Sequence, residues 1–150
     1  MPQSLASLHI HLVFSTKHRT GWLDDAIRHE LHRYMAGVLR EMKCPVVEVN
    51  SVEDHIHILF QMSRTKSIAS IVEEVKTTSS KWIKTKGERF EMFRWQIGYG
   101  AFAVSKSRVA SVVSYIQRQR EHHPRETYDC EYIQLLQSHG IEFDPLHFLD

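Results

Sequence analysis

The chain has 150 residues, 42% of them apolar and 25% charged, which is enough for one domain with its own core and too little for two, and argues against disorder. No apolar run approaches the roughly 18 to 20 residues a membrane span needs, and the start MPQSLASLHIHLVF lacks the pattern of a secretion signal, so a cytoplasmic protein without membrane attachment is expected. Cys44 and Cys130 form no CxxC pair, which speaks against a disulfide framework or a thiolate zinc site, and the net charge of +1 conceals an asymmetry: residues 1–125 hold all 19 Lys and Arg, whereas residues 126–150 hold six acids and none.

Leu8 to Phe14 is rich in β-branched and aromatic residues and predicts a strand, followed by a polar, basic loop from Thr16 to Gly21. Asp24 or Asp25 caps a helix from about Ala26 to Met42, with Ile27, Leu31, Tyr34, Val38 and Met42 at helical spacing and Pro45 marking its end. Val46 to Val52 alternates as a half-buried strand does, and the short connection Ser51 to Asp54 leads into a strand from His55 to Met62, making a hairpin. Ser67 opens a second helix that runs to about Lys86 through Ile68, Ile71, Val75, Thr78 and Trp82, and Gly87 closes it. Phe93 to Val104 predicts a long strand interrupted by Gly98 and Gly100. A third helix is expected from Lys106 to His122, stopping before Pro124, and a short one from Thr127 to Ser138 precedes an irregular acidic end. The order β, α, β, β, α, β, helix predicts an α+β, ferredoxin-like split βαβ fold. Its antiparallel sheet carries helices on one face, leaves the other free for a site and is followed by a C-terminal tyrosine-bearing helix. With no repeat, low-complexity tract or linker, residues 1–150 read as a single domain.

His55 and His57 flank Ile56 on a predicted strand, so both imidazoles leave one face about 6.6 Å apart at the backbone, a separation that suits one divalent ion. His9 and His11 repeat the HxH pattern on the first strand, and spacing does not choose between the pairs. Context favours the second, because Asp54 precedes it as a carboxylate able to orient a ligand ring and because that strand should lie centrally; His9 and His11 read as polar positions on an open face or a DNA-facing surface. On the third helix, at 100° per residue with Val109 at zero, Val112, Val113 and Ile116 fall within about 60° and form the buried stripe. Tyr115, Gln119, Arg108 and His122 cluster between about 220° and 280°, so Tyr115 is not expected in the core and Gln119 lies one turn below it.

These parts point to phosphodiester cleavage by a tyrosine nucleophile. A metal held by His55, His57 and Gln119 polarises the phosphate, and Tyr115 attacks phosphorus, its phenol helped toward deprotonation by the metal or a base. Covalent attachment stores the bond energy, so rejoining needs no ATP, in keeping with the absence of a GxxxxGK[ST] or GxGxxG motif. Tyr99, in the GYG stretch, either assists or packs, and Tyr115 is preferred for its neighbour Gln119.

The motif DHIHILF at 54–60 together with YIQRQ at 115–119 resembles the single-tyrosine HUH transposases of small bacterial insertion sequences of the 200/605 type, relatives of the transposases associated with repetitive extragenic palindromes. The likeness extends to LVFSTKHR at 12–19, WQIGYGAFAVS at 95–105 and REHHPRETYDCEY at 120–132, nearly the whole chain. It departs from relatives at Ala103, where Ser is usual. YIQRQREHH, lacking the asparagine-proline ending of the palindrome-associated subgroup, places the chain nearer the insertion-sequence subgroup.

The resemblance implies a transposase, a single-strand DNA endonuclease and strand transferase, that recognises hairpin ends. His55, His57 and Gln119 would be ligands to Mg²⁺ or Mn²⁺, and Tyr115 would form a 5′-phosphotyrosine as a 3′-hydroxyl is released. It also implies a bacterial, nucleoid-associated homodimer in which one chain's tyrosine helix can complete the other's histidine site. DNA contacts are expected from Lys17 and Arg19, from Lys106 and Arg108 at the start of the tyrosine helix, and from Lys76, Lys81 and Lys84 on the second helix. Three other readings stand beside this one. They are a domesticated, non-catalytic nucleic-acid binder, a histidine phosphoesterase acting on RNA or a small phosphodiester with His9 and His11 joining His55 and His57, and a metal-stabilised structural module.

Overall fold

A computed structural model describes residues 2–122 and 127–150. Strand β1 (His9–Ser15) is followed by helix α1 (Asp25–Glu41), the hairpin β2 (Val46–Ser51) and β3 (His55–Gln61), helix α2 (Ile68–Lys84) and strand β4 (Gly100–Val104). Helix α3 (Val109–Gln117), the short α4 (Gln119–His122) and α5 (Tyr128–Ser138) come last. The strands are arranged β2-β3-β1-β4 with every neighbouring pair antiparallel, the split βαβ arrangement expected. The two HxH strands β1 and β3 are the inner pair, in register from His9 opposite Gln61 to Ser15 opposite His55.

Alternation along β1 and β3 divides the chain's apolar residues between two layers. Leu12, Phe14, Ile56, Ile58 and Phe60 point to one face and are fully buried against α1 (Ile27, Leu31, Met35, Leu39) and α2 (Ile71, Val72, Val75, Ile83). Each fully buried side chain of this kind stabilises the fold by about 1.5 to 3 kcal/mol, so this layer carries most of the stability. Both helices are capped as their first residues suggest: Asp24 accepts from the Ala26 amide and Ser67 from the Ser70 amide. The α1 stripe passes through Met35 and Leu39 rather than Tyr34 and Val38, and the Tyr34 ring stacks on Trp82 of α2 instead.

The opposite face of the sheet is not open. Val13 and Phe102 form a second cluster there with Tyr128, Tyr132 and Leu136 of α5, and Phe143, Phe148 and Leu149 pack onto it. Gly100 makes room for this layer, since a β-carbon there would stand 2.7 Å from the Tyr132 ring. Gln96, buried, ties the layer together: its Oε1 accepts from the Ser15 amide and the Tyr128 hydroxyl, and its Nε2 donates to the carbonyls of Leu149 and Asp150. His9 and His11 are therefore buried rather than on an open face.

Two predicted elements differ in extent. Residues 93–99 are not strand beyond a single bridge between Trp95 and Thr16, because the Lys76 ammonium gathers the carbonyls of Gln96, Ile97 and Gly98 at 2.6 to 3.1 Å. Three consecutive carbonyls turned to one cation cannot alternate as a strand ladder requires. The third helix begins as a tight turn at Lys106–Arg108 and breaks at Arg118, where Asn50 of β2 donates its amide to the carbonyls of Ile116 and Gln117. The predicted stop before Pro124, like the orientation of His122, lies outside what the structure describes.

Candidate active site

The face of the sheet covered by α3 and α5 collects the polar groups that the sequence spreads over more than a hundred residues. His55 and His57 emerge side by side from β3 with ring centroids 5.2 Å apart, and both are fully buried. Their Nε2 atoms converge on one oxygen, Oε1 of Glu131, at 3.2 Å and 2.9 Å. Gln119 is also fully buried, with its Oε1 3.3 Å from His55 Nε2 and its Nε2 donating to Glu131 Oε2 at 3.2 Å. The Tyr115 hydroxyl donates to the same Oε2 in a short hydrogen bond. One carboxylate thus joins two imidazoles, the amide and the phenol, and all of them come from one chain.

The far side of each imidazole is also fixed. His55 Nδ1 lies 2.7 Å from Asp54 Oδ1, the orienting carboxylate expected from the sequence. Burial alone would lower the basicity of His55, but the hydrogen bonds and charges of Asp54 and Glu131 outweigh it and raise the group to about 9. His57 Nδ1 lies 2.8 Å from His11 Nε2. Burial, with His57 second, pushes His11 down to about 3, so His11 is neutral and its Nε2 can accept a proton-bearing Nδ1 of His57. Each partner thereby places the ring proton on Nδ1 and turns Nε2 toward Glu131.

His55, His57 and Glu131 offer ligand atoms within 4.8 Å of one another, so they could hold a metal ion. With a cation in place of the proton on each Nε2, two imidazole nitrogens, a carboxylate and an adjacent amide oxygen would suit a divalent ion, and the nitrogen share suits Mn²⁺ better than Mg²⁺. Sequence reasoning placed Gln119 as the third donor and passed over Glu131, which sits nearer. Its signal was present in α5: Glu131 falls on the stripe of Tyr128, Tyr132, Leu135 and Leu136, an acid among residues spaced to be buried.

Residues 4–119 match the family described as "Transposase IS200 like". The chain belongs to this family of transposases. Two solved structures share the fold. A candidate transposase from Deinococcus radiodurans R1 is 21% identical with a TM-score of 0.62, over 79% of this chain and 98% of that one. A REP-associated tyrosine transposase bound to a REP hairpin is 14% identical with a TM-score of 0.62, over 82% of this chain and 72% of that one. No curated protein sequence matches significantly. Among the described residues, no helix of the transposase is long and apolar enough to cross a membrane.

The basic residues singled out in the sequence fall into separate regions of the transposase. Lys106 and Arg108 are exposed at the start of α3, and Arg108 lines a cleft that also reaches Tyr115. Arg19 is bridged to Asp129 of α5 at 3.5 Å. Lys17, Lys81 and Lys84 line a groove of about 700 Å³ along α2, joined there by Arg94. Lys76 borders the same groove, but its ammonium is taken up by the three backbone carbonyls, and burial lowers it to about 8. Tyr99 packs half-buried against the α1/α2 layer.

Proposed function

We propose that this transposase cleaves and rejoins single-stranded DNA through a 5′-phosphotyrosine at Tyr115, with His55, His57, Glu131 and Gln119 as the donors for a divalent cation, Mn²⁺ or Mg²⁺. The observation that carries this reading is the convergence of Tyr115 and both histidines on the Glu131 carboxylate. When bound, the cation supplies charge neutralisation for the phosphate and its pentacovalent transition state.

The residues of the chain account for the rest. The Tyr115 oxygen attacks phosphorus, the bond from phosphorus to the 3′ oxygen breaks, and that oxygen leaves as a 3′-hydroxyl after taking up a proton. Glu131 Oε2, already the acceptor of the phenolic hydrogen bond, is placed to receive the Tyr115 proton. Attack of a 3′-hydroxyl on the phosphotyrosine reverses the sequence and joins strands. Hairpin ends of a mobile element are the expected substrates, an assignment supported by the hairpin bound in the structurally similar REP-associated transposase. Lys17, Arg19, Lys81, Lys84, Lys106 and Arg108 would contact phosphates. The homodimer implied by family resemblance belongs to this reading, although Tyr115 already stands beside the histidines of its own chain.

The test is incubation with labelled single-stranded DNA spanning the flanks of the encoding gene, with Mn²⁺ or Mg²⁺, followed by denaturing electrophoresis. A protein–DNA adduct in the wild type, absent in Tyr115→Phe and His57→Ala, is the expected result. Metal-dependent cleavage that survives Tyr115→Phe without an adduct would overturn the tyrosine mechanism in favour of a phosphoesterase.

A further inference from the structure

Beside Tyr115 a cleft of about 890 Å³ opens between α3, the end of β4 and the end of α5, large enough for a nucleotide and part of its neighbour. No acidic side chain lines it among the described residues, although the chain carries 18 acids, and two arginines do, Arg108 and Arg118. Arg19, Arg28, Arg89 and Arg120 are each bridged to a carboxylate, whereas Arg108 and Arg118 have no such bridge among the described residues. Arg118 is instead tied by its Nε to the Ser114 carbonyl at 3.3 Å, which holds it at the helix end. The cleft is therefore built to attract an anion and has no internal carboxylate to satisfy its cations.

A second feature narrows the anion. The His139 ring stacks on Phe102 with centroids 4.5 Å apart and planes 29° from parallel, and His139 Nδ1 lies 2.8 Å from the Leu135 carbonyl, which fixes the ring. Both residues line the cleft, so a flat, immobilised aromatic surface shares it with the two arginines that flank α3. Cations with an aromatic platform are what a single-stranded nucleotide requires: phosphate takes the charge and the base takes the ring face.

We infer that this cleft is a nucleotide subsite of the transposase, in which Arg108 and Arg118 hold a phosphate flanking the bond to be cleaved and the exposed His139 ring, backed by the buried Phe102, receives the adjoining base. The inference rests on the proposed cleavage at Tyr115, which lines the same cleft, and its failure is separable from failure of that reading.

The experiment is fluorescence anisotropy of a labelled thymidine hexamer binding to the full chain in EDTA, over a salt series. An abasic hexamer of equal charge is measured in parallel. The double variant Arg108→Gln/Arg118→Gln should bind both hexamers about tenfold or more weakly, and its slope of log affinity against log salt should be shallower by about 0.7, the value for one lost single-strand phosphate contact. His139→Ala should weaken the thymidine hexamer by about fivefold or more, as expected for loss of a stacking platform, and leave the abasic hexamer unchanged. Arg40→Gln, exposed on α1, serves as the control and should bind as wild type does. Wild-type affinity and slope in the double arginine variant would overturn the phosphate site. Equal loss on both hexamers in His139→Ala would overturn the base site, and no binding by the wild type would overturn both. Tyr115→Phe should lose the covalent adduct and keep hexamer binding. If no strand yields an adduct while binding still depends on the arginine pair, the cleavage reading fails and the subsite stands.

Discussion

Glu131 presents its two oxygens in different directions, Oε1 to the imidazoles of His55 and His57 and Oε2 to the hydroxyl of Tyr115 and the amide of Gln119. A buried carboxylate is tolerated only with such partners, since an unpaired one costs several kcal/mol. Glu131→Gln keeps the volume and removes the charge. It should weaken Mn²⁺ binding in isothermal titration calorimetry by about tenfold or more, as loss of a charged donor predicts. Tyr115→Phe should leave the Mn²⁺ affinity unchanged, so the two variants separate the cation site from the nucleophile. Unchanged Mn²⁺ binding in Glu131→Gln would remove this residue from the donor set.

At the scale of elements, α5 decides the geometry of the site, and Gly100 decides where α5 can lie. Alanine there would drive a methyl against the Tyr132 and Phe102 rings, both packed and unable to swing aside. Overpacking of this kind costs about 1 to 3 kcal/mol. Gly100→Ala should therefore lower the melting temperature by about 2 to 12 °C, at roughly 2 to 4 °C per kcal/mol for a chain of this size. It should also weaken Mn²⁺ binding, because Glu131 moves with the helix. A stability loss with Mn²⁺ binding intact would show that Glu131 is positioned independently of the Tyr132 packing. The elements themselves were largely legible, since alternation in β1 to β3 and 3.6-residue spacing with caps in α1 and α2 are local signals. Residues 93–99 were not: the run with Phe93 and Trp95 looks like a strand, and the lysine that turns its carbonyls lies twenty residues upstream in α2. The break at Arg118 has the same cause, an amide donated from β2.

For the whole molecule, two layers of helix and chain on a four-stranded sheet leave several histidines inside, and burial couples folding to pH. His32 on α1 is buried with its Nε2 2.7 Å from Ser51 Oγ, and burial, then Arg28 and His29, lowers it to about 4 from an ordinary 6.5. The folded state thus binds this proton more weakly than the unfolded state. Its contribution is complete above pH 6.5 and is lost as pH falls toward 4, with a slope of at most about 1.4 kcal/mol per pH unit. His32→Gln, which retains a partner for Ser51, should make the decline in urea-unfolding free energy between pH 6.5 and 4 shallower than in wild type. Parallel curves for the two proteins would show that His32 takes no part in it.

The sequence by itself determined the β-α-β-β-α-β order and the placement of His55 and His57 on one face of an inner strand. These follow from periodicities that act over a few residues. Only the tertiary structure decided that Glu131 completes the cluster, that His11 backs His57, and that the second face of the sheet is roofed by α5 rather than open. The two hydrogen-bonded outcomes join residues 46 and 74 positions apart, and the roof depends on the room Gly100 leaves for Tyr132 and on the packing of Val13 and Phe102 against the tyrosines of α5. The stripe of α5 marks Glu131 as buried, but no local pattern names the partners, because each contact requires two elements to be packed before either side chain has one.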